Sequence, residues 1–211
     1  MESRSRNFLL AAGIAFLFPV SASAGNADLV AAARAQIGVT VQYDPAYRAL
    51  GYPGGDVPAD RGVCTDVIVR ALRTARAFDL QRLVHEDEEA NWDAYPHQRR
   101  WGLSKPDPNI DHRRVPNLMT FFRRAGYAAP LTRTAAAYLP GDVVAWDLGR
   151  GILHIGIVSD ARSVAGTPLV VHNIGAGTRE EDILFRFTVI GHYRLPPAPP
   201  GGGNVAPVSR R

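Results

Sequence analysis

The apolar residues change their spacing at Leu139, and this change limits the possible folds more than any other sequence feature. Before it they recur every three or four residues, as on one face of a helix. After it they form short runs with strand-like spacing, separated by turn residues. The predicted helices cover 26–37, 64–78, 80–92 and 117–125. The predicted strands cover 143–147, 152–159, 169–174 and one or two segments within 183–194, with a loop over 175–182. This order predicts an α+β fold whose helices pack on an antiparallel sheet.

The only cysteine of the chain, Cys64, begins one of these amphipathic helices. Ile68, Ala71 and Leu72 follow it at helical spacing, so Cys64 is predicted in the first turn, on the buried face. Backbone N–H groups of a first turn have no helical partner and the helix dipole is positive there, which favours a thiolate of low pKa. Cys64 is therefore either a nucleophile or an inert buried thiol.

The two ends of the chain differ in composition from the part between them. Arg4 and Arg6 precede an apolar run over 8–20, and Ala22-Ser23-Ala24 has the pattern of a cleavage site. We predict a signal peptide over 1–24, a domain over 25–195 and a disordered Pro/Gly-rich tail over 196–211. The protein is then periplasmic or secreted. Because an unpaired thiol is a liability in an oxidising compartment, export modestly favours a use for Cys64.

The chain has a formal net charge of +4, and Lys105 is its only lysine among 24 basic residues. This charge suits an acidic cell-wall polymer or an anionic surface, or it reflects an arginine-rich composition alone. No run of like charge is long enough to indicate a nucleic-acid tail. No segment after the leader is apolar enough for stable membrane insertion. We expect a monomer without nucleic-acid partners.

Two histidines fall on predicted strands, His154 on the face opposite Leu153 and Ile155, and His172 near the end of the next strand. A thiol nucleophile needs a base that titrates near neutrality, and that base needs a third polar group to orient it. Cys64, His154 and His172 supply these residue types. A zinc site is the alternative, although the spacing contains no compact pair of ligands. We expect no metal and no cofactor.

Further polar side chains are candidates for binding a substrate. Three tyrosines accompany a turn-rich segment over 44–60, and the segment 107–114 is rich in groups that bind anions. The second segment is alternatively a loop held by ion pairs. Asp66 either bonds free N–H groups of the first helical turn or binds a cationic group of a ligand. The candidates are Tyr43, Tyr52, Thr65, Asp66, His112, Arg113 and Arg114.

Several short motifs, taken together, resemble those of the NlpC-type papain-like cysteine peptidases of bacterial cell walls. They are Gly62-Val63-Cys64-Thr65-Asp66, Pro140-Gly141-Asp142-Val143-Val144, His154-Ile155-Gly156-Ile157 and Val171-His172-Asn173. The series is most similar to a bacterial family called domain of unknown function 1287, to which Tyr-Asp-Pro-x-Tyr at 43–47 and Pro-Asn-Ile-Asp-His-Arg-Arg at 108–114 add. The resemblance covers the chain to about residue 194 and implies a reduced papain-like domain.

The resemblance implies an exported cysteine amidase or endopeptidase that hydrolyses an amide bond of peptidoglycan or a peptide-like substrate. It makes Cys64 the nucleophile, His154 the general base and His172 the group that orients it, with Tyr43 or Tyr52 near the oxyanion site. Peptidases of this type carry Asp-Cys-Ser-Gly at the nucleophile, whereas this chain has Val63-Cys64-Thr65-Asp66. A non-catalytic wall-binding protein that retains the fold is therefore the alternative.

Overall fold

The structure, a computed structural model, describes residues 24–96 and 100–196. The predicted signal peptide and tail lie outside these residues, apart from Ala24 and Pro196. The α-helices whose full bounds are described are α1 (Ala24–Arg34), α2 (Cys64–Arg76), α3 (Leu80–Ala90) and α4 (Val115–Arg124). Each matches a predicted helix to within a few residues. Helix α4 begins earlier than predicted because Pro116 occupies its first turn, where no N–H group is needed.

The second half of the described chain forms a five-stranded antiparallel sheet in the order β6-β5-β4-β3-β7. Its strands are β3 (Val143–Asp147), β4 (Leu153–Arg162), β5 (Pro168–Asn173), β6 (Thr178–Glu181) and β7 (Thr188–Tyr193). The α+β fold and the antiparallel sheet are thus confirmed. The predicted loop over 175–182 is wrong, because β6 lies within it. Its sequence, Thr-Arg-Glu-Glu, has no apolar alternation, and it pairs through its backbone at the sheet edge.

Both faces of the sheet are buried, and the two faces carry different side chains. On one face α2 packs Ile68 and Leu72 against Ile155 and Ile157 of β4. Each of these fully buried side chains contributes roughly 1.5–3 kcal/mol relative to an exposed position. The opposite face carries Trp146 in a second cluster, formed with Tyr138, Val144, Val158, Val170, Ile183 and Leu184. A side chain of β4 therefore packs in the cluster under α2 or in the cluster around Trp146, according to the face of the sheet to which it points.

A short parallel pair, β1 (Gln42–Tyr43) and β2 (Arg61–Gly62), joins the start of α2 to the end of β5. Asn173 donates from Nδ2 to the Gly62 carbonyl at 3.0 Å. The β5–β6 turn adds a hydrogen bond of 2.8 Å from the Thr178 N–H to the Thr40 carbonyl. Gly177 permits this contact, since a Cβ there would lie 2.6 Å from the Thr40 oxygen. The chain before Tyr43 is thus attached to the strand that carries His172.

No helix in residues 24–96 and 100–196 combines the length and the apolar content that crossing a bilayer requires.

Candidate functional site

A cleft of about 240 Å³ opens where the start of α2 meets the start of β4. Its walls come from five parts of the chain. Cys64 contributes from the first turn of α2 and Val63 from the residue before it, Leu153 from β4, and the others from the tyrosine segment, from residues 100–101 and from the segment that leads into α4. The remaining lining residues are Tyr43, Pro45, Arg100, Trp101, Ile110, Arg113, Arg114, Val115 and Pro116.

Cys64 is the first residue of α2, as predicted, and its side chain is buried. Burial raises the pKa of the thiol to about 12, and the charge of Asp66 adds to this effect. The N–H groups of Ile155, Thr65 and Cys64 itself face the sulfur and lower the pKa, but they do not outweigh burial. The expectation of a low-pKa thiolate is therefore wrong for this resting geometry. At neutral pH the side chain is a thiol.

His154 and His172 form a buried pair on the neighbouring strands β4 and β5. Nε2 of His154 lies 3.0 Å from Nδ1 of His172, with the two rings nearly perpendicular. The ring of His154 also stacks on Trp146, with the centroids 5.6 Å apart. Burial, followed by the nearby His172, lowers the pKa of His154 to about 3. The imidazole is therefore neutral at physiological pH, the state in which it can accept a proton.

The second histidine of the pair contacts a carboxylate on the edge strand. Oε2 of Glu181 lies 3.1 Å from Nε2 of His172, at an angle that leaves this nitrogen without a well-aligned hydrogen bond. Burial lowers the pKa of His172, and Glu181 partly offsets this. Gly156 permits the close approach of β5, since a Cβ there would lie 2.7 Å from Cγ1 of Val170, 3.0 Å from the Val171 oxygen and 3.1 Å from Cβ of His172. The polar chain thus runs from His154 through His172 to Glu181.

The thiol and the imidazole of His154 lie on opposite faces of β4. The sulfur faces the N–H group of Ile155, whose side chain lies in the cluster beneath α2. His154 points to the opposite face, as its alternation predicted, where it contacts Trp146. No hydrogen bond joins Cys64 to His154 within the described residues. Nε2 of His154 is engaged with His172, so Nδ1 is its only ring nitrogen without a hydrogen-bond partner among the described residues.

Asp66 and Arg113 are paired with each other behind the cleft. Nε and Nη2 of Arg113 each donate to the Asp66 carboxylate at 3.0 Å, and both side chains are almost fully buried. Asp66 also accepts the Val63 N–H group at 2.6 Å, in the manner of a capping residue. Of the two roles predicted for Asp66, the structure contains the structural one. Neither Asp66 nor Arg113 is free to bind a ligand in the way that was predicted, because the two charges are paired with each other.

Two of the other predicted binding residues line the cleft. Tyr43 lies beside the thiol, and burial raises its pKa to about 12, with contributions from Cys64 and Asp66. Arg114 stacks its guanidinium on the ring of Trp101, 4.3 Å from the centroid. A neutral phenol and a cation therefore line the cleft together with Cys64. Tyr43 is placed to donate a hydrogen bond and Arg114 to attract a negative group.

The structure does not bring Tyr52, Thr65 or His112 to the cleft. The ring of Tyr52 instead lies edge-on to His85, 5.3 Å away at the outer side of α3. Thr65 is the second residue of α2 and is fully buried, which leaves its hydroxyl no access to a ligand. His112 is buried, and its pKa falls to about 4 mainly through burial, with a further contribution from Arg113. Thr65 and His112 thus lie in the interior, and Tyr52 lies at the surface away from the cleft.

Four residues of the site were missed by sequence reasoning. Arg100 and Trp101 lie in a segment without a clear period, so only their residue types, a cation and an indole, could have drawn attention to them. Trp146 shares a face of a predicted strand with Val144, two residues before it. Its position opposite His154 follows from the β3–β4 register. Glu181 could be found only once β6 was recognised as a strand.

No group of three His, Cys, Asp or Glu side chains in residues 24–96 and 100–196 is arranged to hold a metal ion. The Cys64, His154 and His172 set therefore offers no preformed zinc site in this geometry, in which one imidazole nitrogen is already engaged by the other histidine.

Comparison with known proteins extends the sequence resemblance. Residues 30–195 match the family described as "Domain of unknown function (DUF1287)". The chain is also similar to "Uncharacterized protein YijF" of Escherichia coli (strain K12), with 54% identity over 169 residues, which are 80% of this chain and 81% of that protein. The matched range contains Cys64, His154, His172 and every residue that lines the cleft. The chain therefore belongs to the DUF1287 family.

Proposed function

We propose that this protein is a cysteine hydrolase that cleaves an amide bond. One observation carries the proposal: the sulfur of Cys64, at a helix start and in the lining of a cleft, faces the N–H group of Ile155, and the neighbouring His154 forms a buried pair with His172 at 3.0 Å. A nucleophile, a base and an orienting group are the minimum set for acyl transfer through a thiol. The proposed fold is papain-like, of the NlpC type, as the sequence motifs imply.

The contacts of His172 select one tautomer for each histidine. If Nε2 of His172 carries its proton toward Glu181, then Nδ1 of His172 is an acceptor. Nε2 of His154 must then be the N–H donor across the 3.0 Å contact, which leaves Nδ1 of His154 with a free lone pair. That nitrogen can take the thiol proton. Glu181 and His172 are thus positioning residues, and His154 is the base.

The reaction follows from these protonation states. Nδ1 of His154 accepts the thiol proton while the sulfur of Cys64 attacks the carbonyl carbon. The C–N bond then breaks, and the imidazolium returns the proton to the leaving nitrogen. Water, losing its proton to the same nitrogen, hydrolyses the thioester and frees the thiol. The first-turn N–H group of Cys64 and the hydroxyl of Tyr43 are the donors available to the developing oxyanion.

We further propose an exported protein that acts on bacterial peptidoglycan. The motif series and the predicted leader support this, and the arginine-rich composition suits an acidic wall polymer. The substituted motif at Cys64 lacks the Asp and Ser with which related peptidases hold their substrate. Recognition must therefore use other groups, and Arg114, Trp101 and Tyr43 are those that the cleft provides.

A specific observation favours a second candidate, a wall-binding protein without turnover. The thiol is neutral, with its pKa raised to about 12, and no hydrogen bond links it to His154 within the described residues. Catalytic hydrogen bonds are often long in unliganded enzymes and shorten when substrate binds. The two candidates therefore differ in one respect. In the hydrolase, substrate binding brings the Cys64 thiol and the His154 imidazole within hydrogen-bond distance, and in the wall-binding protein it does not.

Digestion of purified sacculi separates the two candidates. We expect the protein to release soluble fragments with a new amino and a new carboxyl end, visible by mass spectrometry. Cys64→Ala and Cys64→Ser should release none while keeping the circular dichroism of the unmodified protein. His154→Ala should lower the rate at least about 100-fold, the usual contribution of general base catalysis.

The opposite results identify the alternatives. Sacculi that bind the unmodified and Cys64→Ala proteins equally, with no fragment released by either, would establish the wall-binding role. Fragment release that survives Cys64→Ala would move the chemistry elsewhere. Metal bound in equal amount to the protein and lost in Cys64→Ala would indicate the zinc site instead.

A further inference from the structure

The guanidinium of Arg114 is held in place without a hydrogen-bond partner. None of its nitrogens donates a hydrogen bond within residues 24–96 and 100–196, and its Nη1 is buried without one. The Asp111 carboxylate is 3.9 Å from Nη1, too far for a hydrogen bond. The ring of Trp101 supports the guanidinium from one side. Arg114 lines the cleft and keeps 16% of its side-chain surface exposed.

The carboxylates near Arg114 are engaged by other groups. Asp111 lies 2.9 Å from Nδ1 of His85 and accepts the Asp107 N–H group at 2.7 Å. Glu88 accepts a hydrogen bond of 3.1 Å from Asn117, and burial with the nearby Asp111 raises its pKa to about 8. Glu88 is thus largely protonated at neutral pH. The charge of Arg114 is only partly neutralised by its surroundings.

The lining of the cleft has the chemistry of a site for a small anion with an apolar body. Arg100 and Arg114 are the cations of the lining that donate no hydrogen bond to a carboxylate within the described residues, and no Asp or Glu of that part of the chain lines the cleft. The Nη2 group of Arg100 donates to the Gly151 carbonyl at 2.9 Å, which keeps this positive charge at the mouth. Leu153, Val115 and Ile110 supply apolar surface. The volume, about 240 Å³, is below the roughly 300–1,000 Å³ of typical ligand pockets.

We propose that Arg114, supported by Trp101, binds the C-terminal carboxylate of a peptide substrate. This assignment rests on the proposed function for the role of Cys64. A guanidinium offers two parallel N–H groups that match a carboxylate, and partial burial strengthens such a pair. Because Arg114 and Cys64 line the same small cleft, we place the last amide of the peptide at the thiol. The substrate class is then a peptide with a free carboxyl end.

Binding to the Cys64→Ala protein tests this assignment without turnover. The probes are acetyl-D-alanyl-D-alanine and the same peptide with a C-terminal amide, titrated calorimetrically. We expect the carboxylate form to bind at least about tenfold more tightly than the amide, as for other charge-assisted pairs. Arg114→Gln should abolish this preference and Arg114→Lys should retain part of it. Arg162→Gln, at the far, exposed end of β4, is the matched control and should leave it unchanged.

Equal binding of the two peptides, no binding of either at millimolar concentration, or a preference that survives Arg114→Gln would each overturn the assignment. Inorganic phosphate that competes as strongly as the peptide would show a general anion site and overturn it as well. The proposed function fails separately: if the carboxylate preference is found but sacculi are not digested, the site is a receptor and Cys64 is not a nucleophile. Digestion without the preference would leave the hydrolase and remove the carboxylate site.

Discussion

Arg113 and Arg114 are adjacent in the chain, yet their surroundings differ completely. The Arg113 guanidinium donates two hydrogen bonds to Asp66 and further ones to the carbonyls of Ala46 and Asp44, both at 3.2 Å. It joins the start of α2 to the segment that carries Tyr43. The Arg114 guanidinium donates none within the described residues and rests on Trp101. One arginine holds the cleft together, and the other faces it with its donors unused.

The difference teaches how one loop can serve both stability and recognition. The segment that ends at Arg114 turns through a short helical turn, Asp111–Arg113, so successive side chains point to different sides. A charge directed into the interior must be paired, because an unpaired buried charge is costly. A charge directed toward the cleft can stay incompletely paired, since water or a ligand can complete it. A side chain whose charge is fully paired in the interior is therefore a structural residue here, and one whose charge is incompletely paired at the cleft is a candidate for binding a ligand.

Removal of the paired charge should have the largest effect. We expect Arg113→Ala to lower the free energy of unfolding by about 3–5 kcal/mol, because Asp66 is left buried without its partner. Replacement of both partners, as in Asp66→Asn with Arg113→Met, should recover part of the loss. Urea denaturation followed by circular dichroism measures both. Arg124→Ala, which breaks the more exposed pair with Asp87, is the control and should cost about 0–1 kcal/mol. A loss of stability for Arg113→Ala no larger than the loss for Arg124→Ala would contradict the structural role given to Arg113.

Two buried ionisable side chains with shifted pKa values, His112 and Glu88, should make the free energy of unfolding depend on pH. The pKa of His112 falls from 6.5 in the unfolded chain to about 4 in the folded protein, so only the unfolded state takes up this proton between these values. Stability from this group is complete above pH 6.5 and is lost as the pH falls toward 4. Glu88 acts in the opposite sense, because its raised pKa makes the folded state bind the proton between pH 4.5 and about 8. His112 and Glu88 thus change the free energy of unfolding in opposite directions over overlapping pH ranges. Variants of each residue are needed to separate the two contributions.

From pH 7 to 5.5 we expect His112 alone to cost about 1.2 kcal/mol of stability. His112→Asn should therefore lose less stability over this range than the unmodified protein, by about that amount, in urea denaturation at the two pH values. Glu88→Gln should lose more, because the compensating proton uptake is gone. Identical pH dependence in all three proteins would mean that His112 is not held neutral.

The smallest effect is expected at Arg114, whose guanidinium donates no hydrogen bond within the described residues. Arg114→Gln should change the free energy of unfolding by no more than about 0.5 kcal/mol, because no hydrogen bond within the described residues is lost with the guanidinium. Thermal and urea unfolding of this variant beside Arg113→Gln would measure the contrast directly. A loss at Arg114 that equals the loss at Arg113 would show that Arg114 is structural as well, through its stacking on Trp101.

Local patterns in the sequence predicted much of the fold but less of the site. The helix at Cys64 and the strands of His154 and His172 follow from spacings of a few residues. The partner of Asp66 does not, because Arg113 is 47 residues away and many arginines could have reached it. The pKa of the thiol was predicted with the wrong sign, because a helix start lowers it by a local effect, whereas burial depends on the whole fold. Strand β6 was missed since its pairing depends on backbone groups and not on apolar alternation.

The attachment of the β5–β6 turn to Thr40 has a consequence for slow motions of the cleft. Thr178 and Asn173 bond the segment before α2 to the strand that carries His172, through carbonyl groups at 40 and 62. The wall that holds Tyr43 and the strand that holds the histidine therefore form one cooperative unit in local unfolding. Backbone amides on both sides should then exchange with solvent deuterium through one common opening event. A substrate too large for the cleft would have to wait for that event.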